Sequence, residues 1–392
     1  MEKNILPKGF LSAGLSAGIK PDESLDMALI MSENTAVAAG VFTTNQVYAA
    51  PVKLCKEHLN NNQAKAIIVN SGIANACTGQ EGYNSANEMT KETAMHLECD
   101  HTNILVCSTG KIGPQLPMKK IKNGISDLSK MLSNSNLDIT SKAIMTTDTY
   151  PKVVVKTITL DNTKITISGI AKGAGMIEPN MATMLSFIMT DANVNSEDLK
   201  ICLKEAVDKS FNRITVDGDQ STNDTVLMLA NGLSNTPELN PSTNEWKDFT
   251  NAVNQICFDL AMMIVHDGEG ADRFITLNVC GALNDKEADI AARSVANSLL
   301  NKTAWAGSYP DWGRIMDAIG YSSAKIVPEK VSIFYGDVQA VENGCQYNVD
   351  HQVMVDAVSE KELMITVNLE LGNGKATIYT CNCTERYVRI NY

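Results

Sequence analysis

Residues 171–192 read AKGAGMIEPNMATMLSFIMTDA, a run of small and helix-breaking residues set directly against a hydrophobic strand. Gly173 and Gly175 permit tight backbone geometry, Pro179 drives Glu178 toward an extended conformation, and Asn180 is a turn former. Immediately afterwards TMLSFIMT resumes as a buried strand. Ala182 and Thr183 therefore sit at the mouth of a strand, behind a constrained loop. A threonine hydroxyl is a poor nucleophile unless a base sits beside it, and its own α-amine serves if Thr183 is an N-terminus. That requires the chain to cut itself between Ala182 and Thr183, by an N-to-O acyl shift at a strained bond followed by ester hydrolysis. The freed amine has a reference pKa of about 7.7–8.0, close enough to neutrality to take a proton in catalysis. The same local pattern also suits a threonine that merely starts a strand.

Outward from this junction, strands and helices come in mixed order. AKAIIVNSG, TNILVCSTG, KVVVKTITL, TKITISGIA, DTVLMLANG, KVSIFYG and ELMITVNLEL are rich in β-branched residues and bounded by turn formers. Asp161-Asn162 reads as the turn of a hairpin. Helical periodicity predicts helices over 81–97, over 196–210 with Asn195 as cap, over 246–265, and over 286–300 with Asp285 as cap. The pattern is that of an α/β (α+β) protein with extensive sheet and helix.

A chain of 392 residues has ample length for a large core, and 44% hydrophobic with 20% charged residues is ordinary for a folded protein. The net charge of −12 argues against a nucleic-acid partner, which would need a concentrated basic face. No apolar run is long enough to cross a membrane, and the first residues lack the apolar core of a secretion signal, so the expected location is the cytoplasm. The ten cysteines are scattered and are expected to be reduced. Cys381 and Cys383 form one C-x-C without the second half-site of a zinc centre.

Three further stretches carry polar chemistry. In VCSTGKIG, Ser108-Thr109-Gly110 ends a strand, where a backbone N–H and the Thr109 hydroxyl suit a developing oxyanion; an ordinary turn has the same look. In AIMTTDTYPK, Thr146, Thr147 and Thr149 surround Asp148, a grouping that also serves turns and caps. TVDGDQSTND clusters Asp217, Asp219 and Asp224 in the manner of a metal loop. The calcium-loop pattern fails there, because Thr222 and Met228 stand where Gly and Glu are needed. No phosphate loop of the G-x-x-x-x-G-K-[ST] kind is present.

Taken together, AAGVFTTNQVYAAPV, VNSGIANACTG, STGKIG, AIMTTDTYPK, GIAKGAGMIEPNMATMLSFIMTDA, SFNRITVDGDQSTNDTVL, VHDGEGADRF, PDWGRI and YVRIN closely resemble, in order, the motifs of the ornithine acetyltransferase (glutamate N-acetyltransferase, ArgJ-type) family. The resemblance implies a layered αββα-type sandwich related to the self-processing group that includes the aminopeptidase DmpA. It implies cleavage between Ala182 and Thr183 into an alpha chain, 1–182, that carries the oxyanion turn, and a beta chain, 183–392. The two chains are expected to remain together as an α2β2 assembly. The implied reaction is a ping-pong transfer of acetyl from N-acetylornithine to glutamate through an acetyl ester on Thr183, without a metal or other cofactor. Thr109 and Gly110 match the family's oxyanion pair, and Thr146, Lys172, Thr183, Glu269 and Asn391 match its substrate contacts. No motif separates members that also use acetyl-CoA from those that do not. The related alternative is a self-processing amidase or aminopeptidase on small N-acylated amino acids, with water in place of glutamate. Departures from the family pattern are Ile73, Lys111, Asp272-Arg273 and the short ending INY, the last bearing on substrate choice.

Overall fold

The apolar run after the constrained loop forms a strand, Leu185–Thr190, buried at every position, as in a strand covered on both faces. A computed structural model describes residues 5–160, 163–178 and 184–392. Pro179, Asn180, Ala182, Thr183 and the Asp161-Asn162 turn lie outside the described residues. The chain divides into two compact units, one of residues 1–173, 179–212 and 220–264, the other of residues 174–178, 213–219 and 265–392.

The first unit is built on one mixed sheet of β1 (Phe10–Leu15), β2 (Met27–Phe42), β3 (Gln63–Ile73), β4 (Ile104–Lys111), β5 (Lys152–Leu160), β6 (Thr163–Lys172), β7 (Leu185–Thr190) and β8 (Thr225–Ala230). Their order is β4-β3-β2-β8-β7-β6-β5, with β1 added to β2. The β3–β4 and β7–β8 pairs are parallel and the rest antiparallel. The helices are α1 (Ala50–His58), α2 (Gly79–Leu97), α3 (Met118–Met131), α4 (Leu137–Ala143), α5 (Ser196–Lys209) and α6 (Trp246–His266). Helices α1 to α4 share a core with Ile170, Phe187 and Leu227 on one sheet face. Neighbouring strand residues point to opposite faces, and Gly169, beside Ile170, opens the other face to α6. A Cβ at Gly169 would lie 2.7 Å from Ile256 and 2.8 Å from Leu260. The sheet is thus layered between helices.

The second unit holds a six-stranded sheet of β9 (Phe274–Ala282), β10 (Ser332–Tyr335), β11 (Val338–Glu342), β12 (Cys345–Gln346), β13 (Glu362–Asn368) and β14 (Gly374–Cys381), in the order β12-β11-β10-β13-β9-β14. With it go α7 (Asp285–Asn297), α8 (Leu299–Ala306), α9 (Trp312–Gly320), α10 (His351–Val358) and α11 (Glu385–Ile390). The alanine-rich face of α7 packs Ala288, Ala291 and Val295 against Ile275, Leu277 and Val279 of β9.

The layered α/β class expected from the sequence is the one observed. Asn195 caps α5 as expected, accepting the Asp198 N–H at 3.0 Å. The helix expected over 286–300 is two helices. Asn284, not Asp285, accepts the Glu287 N–H, and Ser298, in extended conformation, ends α7 and caps α8. Cys55, Cys107, Cys202, Cys257 and Cys381 are buried, whereas Cys77 and Cys345 are exposed. Among the described residues no helix is long and apolar enough to cross a membrane.

Candidate active site

In the first unit the C-terminal ends of β4 and β6 bring together Thr109, Gly110, Thr146 and Lys172. Lys172 is the last residue of β6, and its side chain is buried with only 3% of the residue exposed. Its ammonium donates to the Thr146 hydroxyl at 2.7 Å and to the Thr109 hydroxyl at 3.2 Å. A buried ammonium requires countercharge, and Asp148 is its electrostatic partner. Asp148 accepts the Lys152 ammonium at 2.7 Å, the Gly173 N–H at 2.6 Å and the Thr146 N–H at 3.0 Å. Burial alone would raise the Asp148 pKa. Lys172, then Lys152 and the Gly173 N–H, outweigh it and hold this carboxyl at about 2. Asp148 is therefore ionised at neutral pH and fixes both the loop carrying Thr146 and the backbone just after Lys172.

Ser108, Thr109 and Gly110 do not form a separate turn; β4 runs on to Lys111 and stays paired with Ser71 and Gly72 through an irregular register. Gly110 has φ of +126°, and a Cβ there would lie 2.3 Å from the carbonyl carbon of Gly72. Only glycine fits that approach. The strand ends are pinned by Asn223, whose amide donates to the Ala74 carbonyl at 2.6 Å and the Ser108 carbonyl at 2.8 Å. Lys20 adds a further cation nearby, donating to the carbonyls of Leu25 and Met145, with its pKa lowered chiefly by burial.

In the second unit Glu269 and Asn391 meet. The Asn391 amide donates to Glu269 Oε2 at 2.7 Å and to the Tyr387 carbonyl at 3.0 Å. Glu269 is buried, and a Cβ on Gly175 would lie 2.4 Å from its carboxyl carbon, so glycine at 175 keeps this carboxylate in place. Its backbone N–H donates to the Ala174 carbonyl. The constrained loop is further fastened by Asp217, whose carboxylate accepts the Met176 and Ile177 N–H groups at 2.6 and 2.8 Å. A cavity of about 250 Å³ is lined by Asp217, Asp219, Glu269, Lys302 and Tyr387, among others. Burial, followed by the neighbouring Asp217, pushes the Tyr387 phenol and the Asp219 carboxyl up. Burial pushes the Lys302 ammonium down.

The sequence-predicted residues thus fall into two groups, Thr109, Gly110, Thr146 and Lys172 in one unit and Glu269 and Asn391 in the other. Thr183 and Ala182 are outside the described residues. Asp217 has its oxygens engaged by backbone N–H groups. Among the described residues no cluster of three or more His, Cys, Asp or Glu has the arrangement of a metal site. Asp272 and Arg273, which depart from the family pattern, are tied down by the Asn382 side chain, and Arg273 also by the Val358 carbonyl and the Ser308 hydroxyl. Lys152 and Lys20 were missed by sequence reasoning, because a lysine buried at a strand end or half-buried in a loop has no local pattern to distinguish it from a surface one.

The ArgJ family profile matches residues 11–392. The chain is 46% identical over 385 residues to the arginine biosynthesis bifunctional protein ArgJ of Geobacter sulfurreducens, covering 98% of each chain. It is 43% identical over 390 residues to the ArgJ protein of Caldanaerobacter subterraneus, covering 98% of this chain and 96% of that one. Among solved structures, that of the arginine biosynthesis bifunctional protein ArgJ of Bacillus halodurans superposes with a TM-score of 0.51 at 40% identity, over 53% of this chain and 99% of that one. On both sequence and structure, the chain belongs to the ArgJ family.

Proposed function

We propose that this chain cleaves itself between Ala182 and Thr183 and then moves an acetyl group from N-acetylornithine to glutamate through an acetyl ester on Thr183. The products are ornithine and N-acetylglutamate. The observation that carries this reading is the buried Lys172 ammonium held on both the Thr109 and Thr146 hydroxyls, where the family motifs call for oxyanion and substrate groups. In the first half-reaction the Thr183 α-amine takes the hydroxyl proton as Oγ attacks the acetyl carbonyl. The tetrahedral intermediate collapses, and the proton goes to the departing ornithine nitrogen. Glutamate's neutral amine then attacks the ester, and Thr183 recovers its proton.

Thr109 suits the oxyanion role for a specific reason. A hydroxyl has one hydrogen, and with its oxygen accepting from Lys172 that hydrogen is left to donate to the oxyanion, beside the Gly110 N–H. Nearby positive charge from Lys172 favours the same species. Thr146 and Lys172 would orient the substrate carboxylate, and Glu269, held by Asn391, would take a substrate amine. The working form would be chains 1–182 and 183–392, two copies of each.

Intact mass spectrometry of the purified protein, followed by transfer assays with and without glutamate, tests this reading. Two fragments meeting at Ala182 and Thr183, with acetylglutamate formed only when glutamate is added, are expected. Thr183→Ala should remain uncut and inactive, and Thr183→Ser should be cut and partly active. Free acetate formed equally with and without glutamate would instead make the chain a hydrolase, and a parallel arm with acetyl-CoA reports on a second donor.

A further inference from the structure

Lys20 lies in the loop between β1 and β2, which the fully buried Asp26 carboxylate pins by accepting the N–H groups of Ala17 at 2.7 Å, Ile19 at 2.6 Å and Lys20 at 3.0 Å. The half-buried Lys20 ammonium donates to the Leu25 carbonyl at 2.8 Å and to the Met145 carbonyl at 2.7 Å. Both acceptors are neutral, and an ammonium has three hydrogens, so one is left over. Among the described residues no carboxylate comes within ion-pair distance of this group. Asp26 is engaged by its own loop, and Asp148 by Lys152 and the N–H groups of Thr146 and Gly173. A cation withdrawn from water calls for an anion.

The surroundings of the ammonium give that anion its place. Met145, whose carbonyl holds Lys20, is followed by Thr146, whose hydroxyl holds Lys172. The lysine stem runs along the end of β3: a Cβ at Gly72 would lie 3.0 Å from Lys20 Cγ, and Gly72 is the residue that Gly110 approaches so closely. Two ammonium groups thus hang on adjacent residues of one loop, beside the Thr109-Gly110 strand end. Burial, and with it the charge on Lys172, disfavours the protonated Lys20, which a carboxylate set between the two would relieve. The transfer reaction brings such a group. Donor and acceptor each carry an α-carboxylate, which suits Lys172 and Thr146, but the donor's side chain ends in an ammonium and the acceptor's in a carboxylate. Glu269 suits only the first, so the acceptor's second carboxylate needs a cation of its own.

We propose that Lys20 selects the acceptor, its remaining hydrogen donating to the side-chain carboxylate of glutamate while Lys172 and Thr146 hold the α-carboxylate. This role rests on the reading of the chain as a glutamate acetyltransferase. A dicarboxylate bridges the two ammonium groups. An amino acid with a neutral side chain leaves Lys20 charged and unpaired, and a site built to meet a polar group rejects the analogue that lacks it. The donor's cationic side chain is repelled from the same place, so the contact serves the second half-reaction.

The test compares the full-length native protein with Lys20→Gln, which keeps a donor for the carbonyls but no charge, and with Lys20→Arg, which keeps the charge. Each is assayed for transfer from N-acetylornithine to glutamate and, in parallel, to glutamine, whose side chain has the same shape without the charge. The native enzyme should prefer glutamate to glutamine by about tenfold or more. Lys20→Gln should lower kcat/KM for glutamate about ten- to a hundredfold, with kcat/KM for glutamine and for N-acetylornithine moving by less than about threefold, so that the preference collapses. Lys20→Arg should retain most of it. A merely structural lysine would lower all three values together and leave the glutamate-to-glutamine ratio alone; that outcome overturns the inference. So does a native enzyme that uses glutamine as readily as glutamate, a comparison that needs no variant. Should Lys20→Gln not fold, Lys20→Met, which keeps the stem against Gly72, carries the same test. A native chain that moves no acetyl to glutamate refutes the acetyltransferase reading itself; one that does so, with the ratio unaltered in Lys20→Gln, refutes only the role of Lys20.

Discussion

Asp148→Asn removes the charge that holds the β6 end of the first unit together, and the structure sets its cost. The side chains of Asp148 and Lys152 are both fully buried, with the ammonium 2.7 Å from Oδ1. The carboxyl pKa falls from an ordinary 3.8 to about 2, the net of burial, which opposes ionisation, and of Lys172, Lys152 and the Gly173 N–H, which favour it. That depression corresponds to roughly 2 kcal/mol of native stability. The folded value lies below the unfolded one, so this contribution is present above about pH 4 and is lost as the pH falls through about 2. Substitution costs more than this figure, because it leaves the buried Lys152 ammonium without a carboxylate that also orders the Thr146 and Gly173 backbone. Breaking one side of a buried ion pair typically costs about 3–5 kcal/mol, and the variant should lose that much in urea unfolding at pH 7. Asp148→Asn/Lys152→Met should recover part of the loss, since a methionine carries no charge to strand. A loss under about 1 kcal/mol, or strict additivity of the two substitutions, would refute the account.

Gly110→Ala forces a Cβ to within 2.3 Å of the Gly72 backbone at a φ of +126°. It should shift the β3–β4 end and lower kcat by about a hundredfold or more, read from transfer kinetics on protein whose circular dichroism is otherwise native. Asn391→Ala removes the donor from Glu269 Oε2 and should leave chain cleavage unchanged. A hydrogen bond to a charged group is worth about 1.5–3 kcal/mol, so KM for the amine-bearing substrate should rise roughly ten- to a hundredfold. Removing Tyr392 alone, whose residue is 93% exposed, should change neither kcat nor KM.

How far the sequence is legible can be judged element by element. Strands β3 to β8 follow from short runs of β-branched residues, because alternation and burial are local signals. β2 escapes that reading: Glu33, Asn34 and Thr35 interrupt it with exposed polar residues at the register break between Met31 and Ala36. The strand pairs with β3 on both sides of the break and with β8 beyond it, and only this non-local pairing joins its halves. At the site, Lys172 and Thr109 were legible through motif, and their hydrogen bond joins residues 63 positions apart. The role of Lys152 was not, since burial of a charged group is decided by what the fold lays over it. Asp217, in an acidic cluster whose calcium-loop pattern fails in sequence, is a fastener of the glycine loop, a role set by two N–H groups 40 and 41 residues upstream that no local pattern reveals.

Sheet order gives the proposed cut a consequence that chain order conceals. Strands β1 to β6 precede residue 182 and β7 and β8 follow it, yet β8 and β7 lie between β2 and β6. Six residue pairs join β2 to β8 and six join β6 to β7. Hydrolysis after Ala182 severs a covalent link but neither ladder. Pulling the fragments apart would expose Phe187, Ile188, Leu227 and Met228, all fully buried, at a cost on the order of 6–12 kcal/mol for these four side chains alone. The fragments should therefore co-elute in size-exclusion chromatography under native conditions and part only on unfolding. Unfolding of the cut protein then releases two chains, so its midpoint must rise with protein concentration beyond any effect of α2β2 assembly, while Thr183→Ala, being uncut, keeps the chains joined. Measuring both proteins over a hundredfold concentration range makes the comparison. A cut protein whose fragments separate in buffer without loss of sheet structure would mean that β7 and β8 do not sit between strands of the other fragment, and the topology itself would be wrong.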